Sequence, residues 1–380
     1  MDAVRLNERT SVFNPAGCAR LIVKIGSSLL VTPRGELRRD WLAGVLDDIA
    51  ARHAAGQAVV IVSSGAIALG ARRLGLTKSG RASLEDAQAA AACGQIMLSG
   101  CYAELLGSRG IQAAQILLTL GDLEDRRRYL NVAATLDRLL ALGVVPVLNE
   151  NDSVATAEIR FGDNDRLAAR AAQAARASAV ILLSDVDGLY TADPASDPNA
   201  TLIDTVSIVD ARTEAMAAAA SSSGLGTGGM VAKLQAAKIA QAAGIHLAIV
   251  DGRVDNPLAR FAATGRGTLF TGGDGERAKK AWLAGRLTVA GRIYIDDGAV
   301  AALGQGKSLL AAGASRIEGS FSRGDAVEVV GSNGPYARGL VSYDAADAAR
   351  IIGTRNDAQA ALLGYAPRAA LIHRDHLVLV

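Results

Sequence analysis

Sulfur, aromatic residues and net charge are all scarce in this chain, and each scarcity excludes something. The 380 residues contain three cysteines, Cys18, Cys93 and Cys101, with no C-x-x-C pair and an odd count. A disulfide framework and a zinc site are therefore not expected, and a reducing cytoplasmic setting fits. Aromatics make up 4% of the chain, and alanine fills many apolar positions instead. That composition suits helices packed closely on a sheet better than an all-β protein. The 40 basic residues are nearly cancelled by 38 acidic ones, so bulk charge points to neither nucleic acid nor membrane. No uninterrupted apolar run reaches about 18 residues, and no transmembrane helix is expected. Residues 1–19 have no apolar centre, do not resemble a secretory signal, and are expected to form a poorly ordered tail.

What is present alternates. Short β-branched runs such as "RLIVKIG", "AVVIVSSG", "IQAAQILLT", "GVVPVLNEND", "AVILLSD" and "IHLAIVDG" are separated by long alanine-rich stretches with helical spacing. Strands alternating with helices imply crossovers and a parallel sheet covered on both faces, an α/β fold over residues 20–279. From residue 280 the pattern changes. "LTVAGRIYIDDGAVAAL", "SLLAAGASRIEGSFSRGDAVEVVG" and "ARGLVSYDAADAARIIG" read as short strands punctuated by glycine, a smaller strand-rich domain over 280–380.

In open parallel sheets ligands bind beyond the carboxyl ends of the strands. Polar residues collect there: Lys24-Ile25-Gly26-Ser27-Ser28, Ser63-Ser64-Gly65, Asn149-Glu150-Asn151-Asp152, Gly162-Asp163-Asn164-Asp165 and Ser184-Asp185. Lys24 stands inside an apolar run, where a lysine must meet a polar partner or reach solvent. Ser64-Gly65 also fits a plain turn, and Asp163 or Asn164 also fits a helix cap. Capping and ligand binding are compatible, because a helix N-terminus favours anions.

The stretch from Ser221 to Gly244, "SSSGLGTGGMVAKLQAAKIAQAAG", satisfies G-x-G-x-x-G through Gly224, Gly226 and Gly229. A dinucleotide fingerprint needs a strand directly before it, and "TEAMAAAASSS" reads as helix and small-residue loop. Nor is it a Walker A loop, since Met230 follows Gly229. Glycine N–H groups and a helix start still make an anion nest, with Lys233 in the first turn able to reach back to a phosphate oxygen.

These clusters, in this order, resemble the amino acid kinase family. The resemblance runs from about Arg20 to the C-terminus and is carried by "VKIGSSLL", "VIVSSGAIALG", "VVPVLNENDSVATAEIRFGDND", "LLSDVDGLYTADP" and "SGLGTGGMVAKLQAA". The smaller domain resembles a PUA domain. The resemblance implies a parallel-sheet sandwich of the amino acid kinase type. The implied reaction moves the γ-phosphate of ATP to the γ-carboxylate of L-glutamate, giving L-glutamyl 5-phosphate and ADP, the first step of proline biosynthesis. It also implies Mg²⁺ with the ATP, a homo-oligomer, and inhibition by L-proline. By the same resemblance, Lys24 and Lys233 hold the transferring phosphoryl group and Asp165 orients them. Ser64, Gly65, Asp152 and Asn164 match substrate-binding positions. Lys24, Gly26, Ser184, Asp185 and the run Thr227, Gly228, Gly229, Met230, Val231, Ala232 and Lys233 match nucleotide-binding segments. Gly26 and Gly65 would let the backbone approach phosphate and substrate. Ser63 stands where a threonine is frequent, and Val231-Ala232 between Met230 and Lys233 is also a departure; neither touches the charged groups.

The chemistry agrees with that set. A carboxylate nucleophile with a pKa of about 4.3 is already ionised at neutral pH, so no general base is required. What is required is charge neutralisation and alignment of two anions. The histidines add no metal site: His373 and His376, near a C-terminal strand, are expected on opposite faces. Two other functions fit parts of the pattern, a kinase for another amino-acid carboxylate and an RNA-binding regulator acting through the PUA-like domain. The latter needs a basic surface, and Arg316, Arg323 and Arg338 are interspersed with Asp325, Glu328, Asp344 and Asp347.

Overall fold

The structure is a computed structural model that describes residues 9–154, 163–220, 229–273 and 289–380. The chain divides into two compact units, Met1–Glu124 with Val132–Gly275, and Asp125–Asn131 with Glu276–Val380. The second unit thus takes in a short segment, 125–131, that sequence pattern alone assigned to the first domain.

The first unit is built on an eight-stranded sheet. Its strands are β1 (Arg20–Ile25), β2 (Ala58–Ser63), β3 (Ala113–Leu118), β4 (Val145–Glu150), β5 (Ala179–Ser184), β6 (Thr205–Val206), β7 (His246–Asp251) and β8 (Thr268–Phe270). Their spatial order is β3-β4-β2-β1-β5-β7-β8-β6. The pairs from β3 to β7 are parallel, whereas β7 and β8 run antiparallel. β6 and β8 are too short to stand out as strands in the sequence, so the antiparallel edge is a correction to an all-parallel reading. The chain runs from β1 to β2 on one side and reaches β5 on the other only later. β1 and β5 therefore flank the point where strand order reverses, the usual place for a ligand.

The helices that shape the site are α1 (Ser27–Leu30), α2 (Arg39–Ala54), α3 (Ala66–Leu74), α4 (Leu84–Gly107), α5 (Asp163–Ala174) and α6 (Gly229–Ala242). Leu21, Val23 and Ile25 of β1 enter one core with Leu42, Val45 and Ile49 of α2 and Leu98 and Tyr102 of α4. Period-two alternation sends Ile22 and Lys24 to the other face. By length and composition α4 alone among the described helices could cross a membrane; here it crosses α3 at van der Waals distance. A Cβ on Gly70 would lie 1.8 Å from the Ala90 carbonyl oxygen, and one on Gly94 would lie 1.9 Å from that of Ala66. Gly94→Ala must push the helices apart, and equilibrium unfolding should show a loss of ~1–3 kcal/mol. A change within ~0.5 kcal/mol, the range of ordinary surface substitutions, would mean the crossing is looser than it looks.

Residues 9–19, expected as part of a poorly ordered tail, are packed. Phe13 is fully buried, its ring edge-on to Phe261 with centroids 5.5 Å apart. Its carbonyl accepts from Arg52 Nη1 at 2.7 Å and Gln57 Nε2 at 3.1 Å. One aromatic residue anchored by two buried side chains overrides the polar composition around it. Residues 1–8 lie outside the described residues.

The second unit carries a five-stranded sheet of β9 (Gly291–Ile295), β10 (Ala314–Gly319), β11 (Ala326–Gly331), β12 (Gly334–Leu340) and β13 (Leu377–Leu379), ordered β10-β9-β11-β12-β13. The segments read as all strand also hold helices at Asp297–Gly304 and Ala345–Ile351, and a further helix follows them at Asn356–Leu363. The first starts where Asp296 accepts from the Ala299 N–H, a cap that turns the following alanines helical. Arg316 pairs with Glu318 at 2.9 Å, while Arg292 and Arg338 both meet Glu328, at 3.1 and 3.5 Å, which consumes much of the basic charge on this sheet. His373 and His376 are not on opposite faces. A 3₁₀ turn at Arg374–His376 brings their rings to 5.9 Å, because three-residue spacing eclipses side chains in that helix.

Candidate active site

Lys24 lies in the middle of the sheet, in register with Val62 of β2 and Leu182 of β5. It is 6% exposed, so its ammonium depends on a protein partner. That partner is Asp165 in the first turn of α5, whose Oδ1 is 2.5 Å from Lys24 Nζ. The other carboxylate oxygen, Oδ2, is 3.2 Å from Lys233 Nζ on α6. Asp165 is 0% and Lys233 7% exposed. α6 begins at Gly229, so Lys233 starts its second turn rather than its first, and its Nζ turns back to within 3.4 Å of the Gly229 carbonyl oxygen.

The electrostatics follow from that burial. Burial pushes the Lys24 ammonium below its ordinary range; Asp165 opposes the shift and Lys233 adds to it. For Asp165 burial favours the neutral acid, but Lys24 and Lys233 together overcome it and hold the carboxyl below the usual carboxylate range. Two lysines face one carboxylate at the base of the site. A dense anion arriving there completes the charge balance, and a phosphoryl group has the right charge and oxygen geometry.

Beside the triad a chain of amides reaches into helix α4. Asn164 Nδ2 donates to Ser64 Oγ at 2.8 Å and to Asn149 Oδ1 at 3.1 Å. Asn149 Oδ1 also accepts from the Glu150 N–H at 2.9 Å, and Asn149 Nδ2 donates to Gln95 Oε1 at 2.7 Å. Since Ser64 Oγ accepts from Asn164, its own hydroxyl proton is available to a carboxylate. Gly65 follows with φ +102°, the left-handed region, and caps α3; a Cβ there would also meet Val31 Cγ2 at 3.0 Å. Gly26 is outside that region: its φ of −74° suits any residue, and what its missing side chain leaves is space 3.8 Å from Lys24 Nζ.

A cleft of about 310 Å³ opens over these groups, lined among others by Lys24, Ser64, Gly65, Asn149, Asp152 and Asn164. It thus brings together the four residues expected to hold the acceptor and one of the two lysines. Ser184 is buried at the end of β5, next to β1, and Asp185 is exposed just beyond it. At the start of α6 Gly229 and Met230 are half-buried, Val231 is exposed and Ala232 is buried. Thr227 and Gly228 lie outside the described residues, as do 155–162. The helix Ala211–Ala220 precedes the glycine stretch, where a dinucleotide fold would have a strand.

Three participants were not read from the sequence. Gln95 is buried in α4 on the same stripe as Ala91, Leu98 and Tyr102, and that spacing was its signal. Tyr102 is fully buried with its hydroxyl 2.9 Å from Ser63 Oγ, which ties the end of β2 to α4. Arg81 lines the cleft after two residues in the left-handed region, Lys78 (φ 47°) and Ser79 (φ 53°). Loss of hydration pushes the Arg81 guanidinium down, and nearby Asp152 opposes that shift. Among the described residues no group of three or more His, Cys, Asp or Glu could hold a metal ion.

The profile of the amino acid kinase family matches residues 19–251, and that of the PUA domain matches residues 291–359. A protein of Sphingopyxis alaskensis named glutamate 5-kinase is 65% identical, over 97% of this chain and 100% of its own length. A glutamate 5-kinase of Zymomonas mobilis is 61% identical over 98% of this chain and 94% of its own. A solved structure of isopentenyl phosphate kinase is 20% identical with a TM-score of 0.45, covering 66% of this chain and 100% of that one.

Proposed function

The chain belongs to the amino acid kinase family, and from that premise we propose that it transfers the γ-phosphoryl group of ATP to the γ-carboxylate of L-glutamate. The products are L-glutamyl 5-phosphate and ADP, at the first step of proline biosynthesis. The observation that carries the reading is the buried Lys24–Asp165–Lys233 triad beside a cleft of amino-acid size. Glutamate as the acceptor is supported by the names of the relatives that match nearly the whole chain.

The residues divide the work by charge. The attacking γ-carboxylate is ionised at neutral pH, so no side chain has to remove a proton. Transfer requires two anions to approach and the negative charge of the phosphoryl oxygens to be met as it redistributes. Lys24 and Lys233 meet it, held in place before the substrates arrive, which is where preorganised charge has its effect. Asp165 is an organiser and not a base: both its oxygens are engaged by lysines, and its lowered pKa makes it a poor proton acceptor. Ser64 and Asn164 orient the acceptor, with Asp152 at the cleft wall. Ser184, Asp185 and residues 227–233 hold the nucleotide. Mg²⁺ enters with the nucleotide as part of the substrate; this ion usually keeps several waters and binds substrate phosphates, so it does not require a carboxylate cage.

Asp152→Ala should raise the KM for glutamate by about tenfold or more while leaving the KM for ATP near its starting value, because loss of one charged contact costs ~1.5–3 kcal/mol. Steady-state kinetics with each substrate varied separately checks this; a change confined to ATP would remove Asp152 from the acceptor site. ADP release measured against glutamate, N-acetylglutamate and aspartate tests the acceptor itself, and glutamate-independent turnover would sink the reading. The reading also includes inhibition by L-proline and a homo-oligomeric state, to be tested by a proline arm in the same assay and by sedimentation.

A further inference from the structure

Asn164 Oδ1 is a buried acceptor with no hydrogen-bond partner among the described residues. Buried polar atoms are rarely left that way, so one at a cleft wall is a place for a ligand group. Its polarity is fixed by the protein. The Glu150 backbone N–H can only donate, so the atom of Asn149 that faces it at 2.9 Å must be Oδ1. Asn149 then turns Nδ2 towards α4, where Gln95 Oε1 receives it at 2.7 Å. Because Asn149 presents an oxygen to Asn164, the nearer group of Asn164 must be its NH₂, at 3.1 Å. The carbonyl oxygen of Asn164 is left pointing elsewhere, as an acceptor. Asn149 is 2% and Gln95 8% exposed, so water does not readily replace either partner.

On the proposed reading, on which this step rests, the acceptor substrate is glutamate. Its two carboxylates are ionised near neutral pH and can only accept hydrogen bonds, and its one donor is the α-ammonium. We propose that Asn164 Oδ1 receives the ammonium of the acceptor, and that Gln95 is a positioning residue which, through Asn149, fixes the Asn164 amide in the orientation that does so. The relay places a specificity element on α4, a helix whose other buried residues near this point, Ala91 and Leu98, are apolar.

Glutarate has the carbon chain and both carboxylates of glutamate but no ammonium, and it is the probe. The kcat/KM ratio of glutamate to glutarate is measured for the wild type, Gln95→Met, which has no acceptor oxygen, and Gln95→Glu, which keeps one. The methionine variant should narrow the ratio by about tenfold, as expected for loss of one charge-assisted hydrogen bond, with the KM for ATP unchanged. The glutamate variant should hold the wild-type ratio. Gln95→Ala serves in place of the methionine variant should that one not fold, as judged by thermal unfolding. A merely structural role for Gln95 would depress turnover of both acceptors together, so an unchanged ratio in a folded Gln95→Met or Gln95→Ala protein overturns the proposal. Absence of glutamate-dependent ADP release in the wild type would instead overturn the function on which it rests.

Discussion

Lys24→Ala is expected to lower kcat by about a hundred- to a thousandfold, the usual effect of removing one preorganised group that meets transition-state charge. The KM for glutamate should change little, since on the proposed reading the acceptor is held by Ser64, Asp152 and Asn164. Lys233→Ala should behave alike, because its ammonium engages the other oxygen of the same carboxylate. Arginine should rescue neither. Lys24 Nζ is a compact charge 2.5 Å from Asp165 in near-complete burial, and a planar guanidinium needs room that the strand does not offer. Initial-rate kinetics with both substrates varied would decide the matter. Near-normal kcat in both alanine variants would refute the assignment of the lysines.

Asp165→Asn should be as damaging, first through stability. It leaves two buried ammonium groups facing each other across a neutral amide, and uncompensated buried charge costs about 3–5 kcal/mol. The pH dependence follows from the lowered pKa of Asp165. A carboxyl held below its unfolded value of about 3.9 contributes stability that is fully present above that pH and is lost as pH falls through the folded-state value. The gap between wild type and variant, measured by urea unfolding, should therefore be full at neutral pH and shrink below about pH 4. MgATP should stabilise the variant, because the phosphates supply the missing negative charge. Equal stability of the two proteins at pH 7 would mean that Asp165 does not organise the lysines.

The parts of the site that were legible in the sequence are those where a residue contradicts its surroundings. Lys24 inside "LIVKIG" announces a partner, and polar clusters at successive strand ends announce a shared cleft. The sequence order of β1, β2, β4 and β5 was readable because each is six residues of mostly apolar character. β8 has three residues and β6 two, too few to establish a period, and their pairing depends on contacts far apart in the chain. Gln95 was hidden for a different reason. Glutamine is a good helix former, so although Gln95 shares the stripe of Ala91, Leu98 and Tyr102, alanine on nearly every face of the helix blurs that stripe until Asn149 is brought beside it. Phe13 was lost in a polar segment because one anchoring aromatic leaves no pattern. The pair His373 and His376 was misplaced because a tight turn, not the strand, sets their spacing.

The central claim is that the buried lysine pair drives phosphoryl transfer onto the γ-carboxylate of glutamate. Trapping the acyl phosphate with hydroxylamine measures it most directly. Wild-type protein with Mg²⁺ and ATP should form γ-glutamyl hydroxamate in step with ADP, only when glutamate is present, and Lys24→Ala should form almost none. ADP release without hydroxamate, or hydroxamate formation undiminished in Lys24→Ala, would contradict the account.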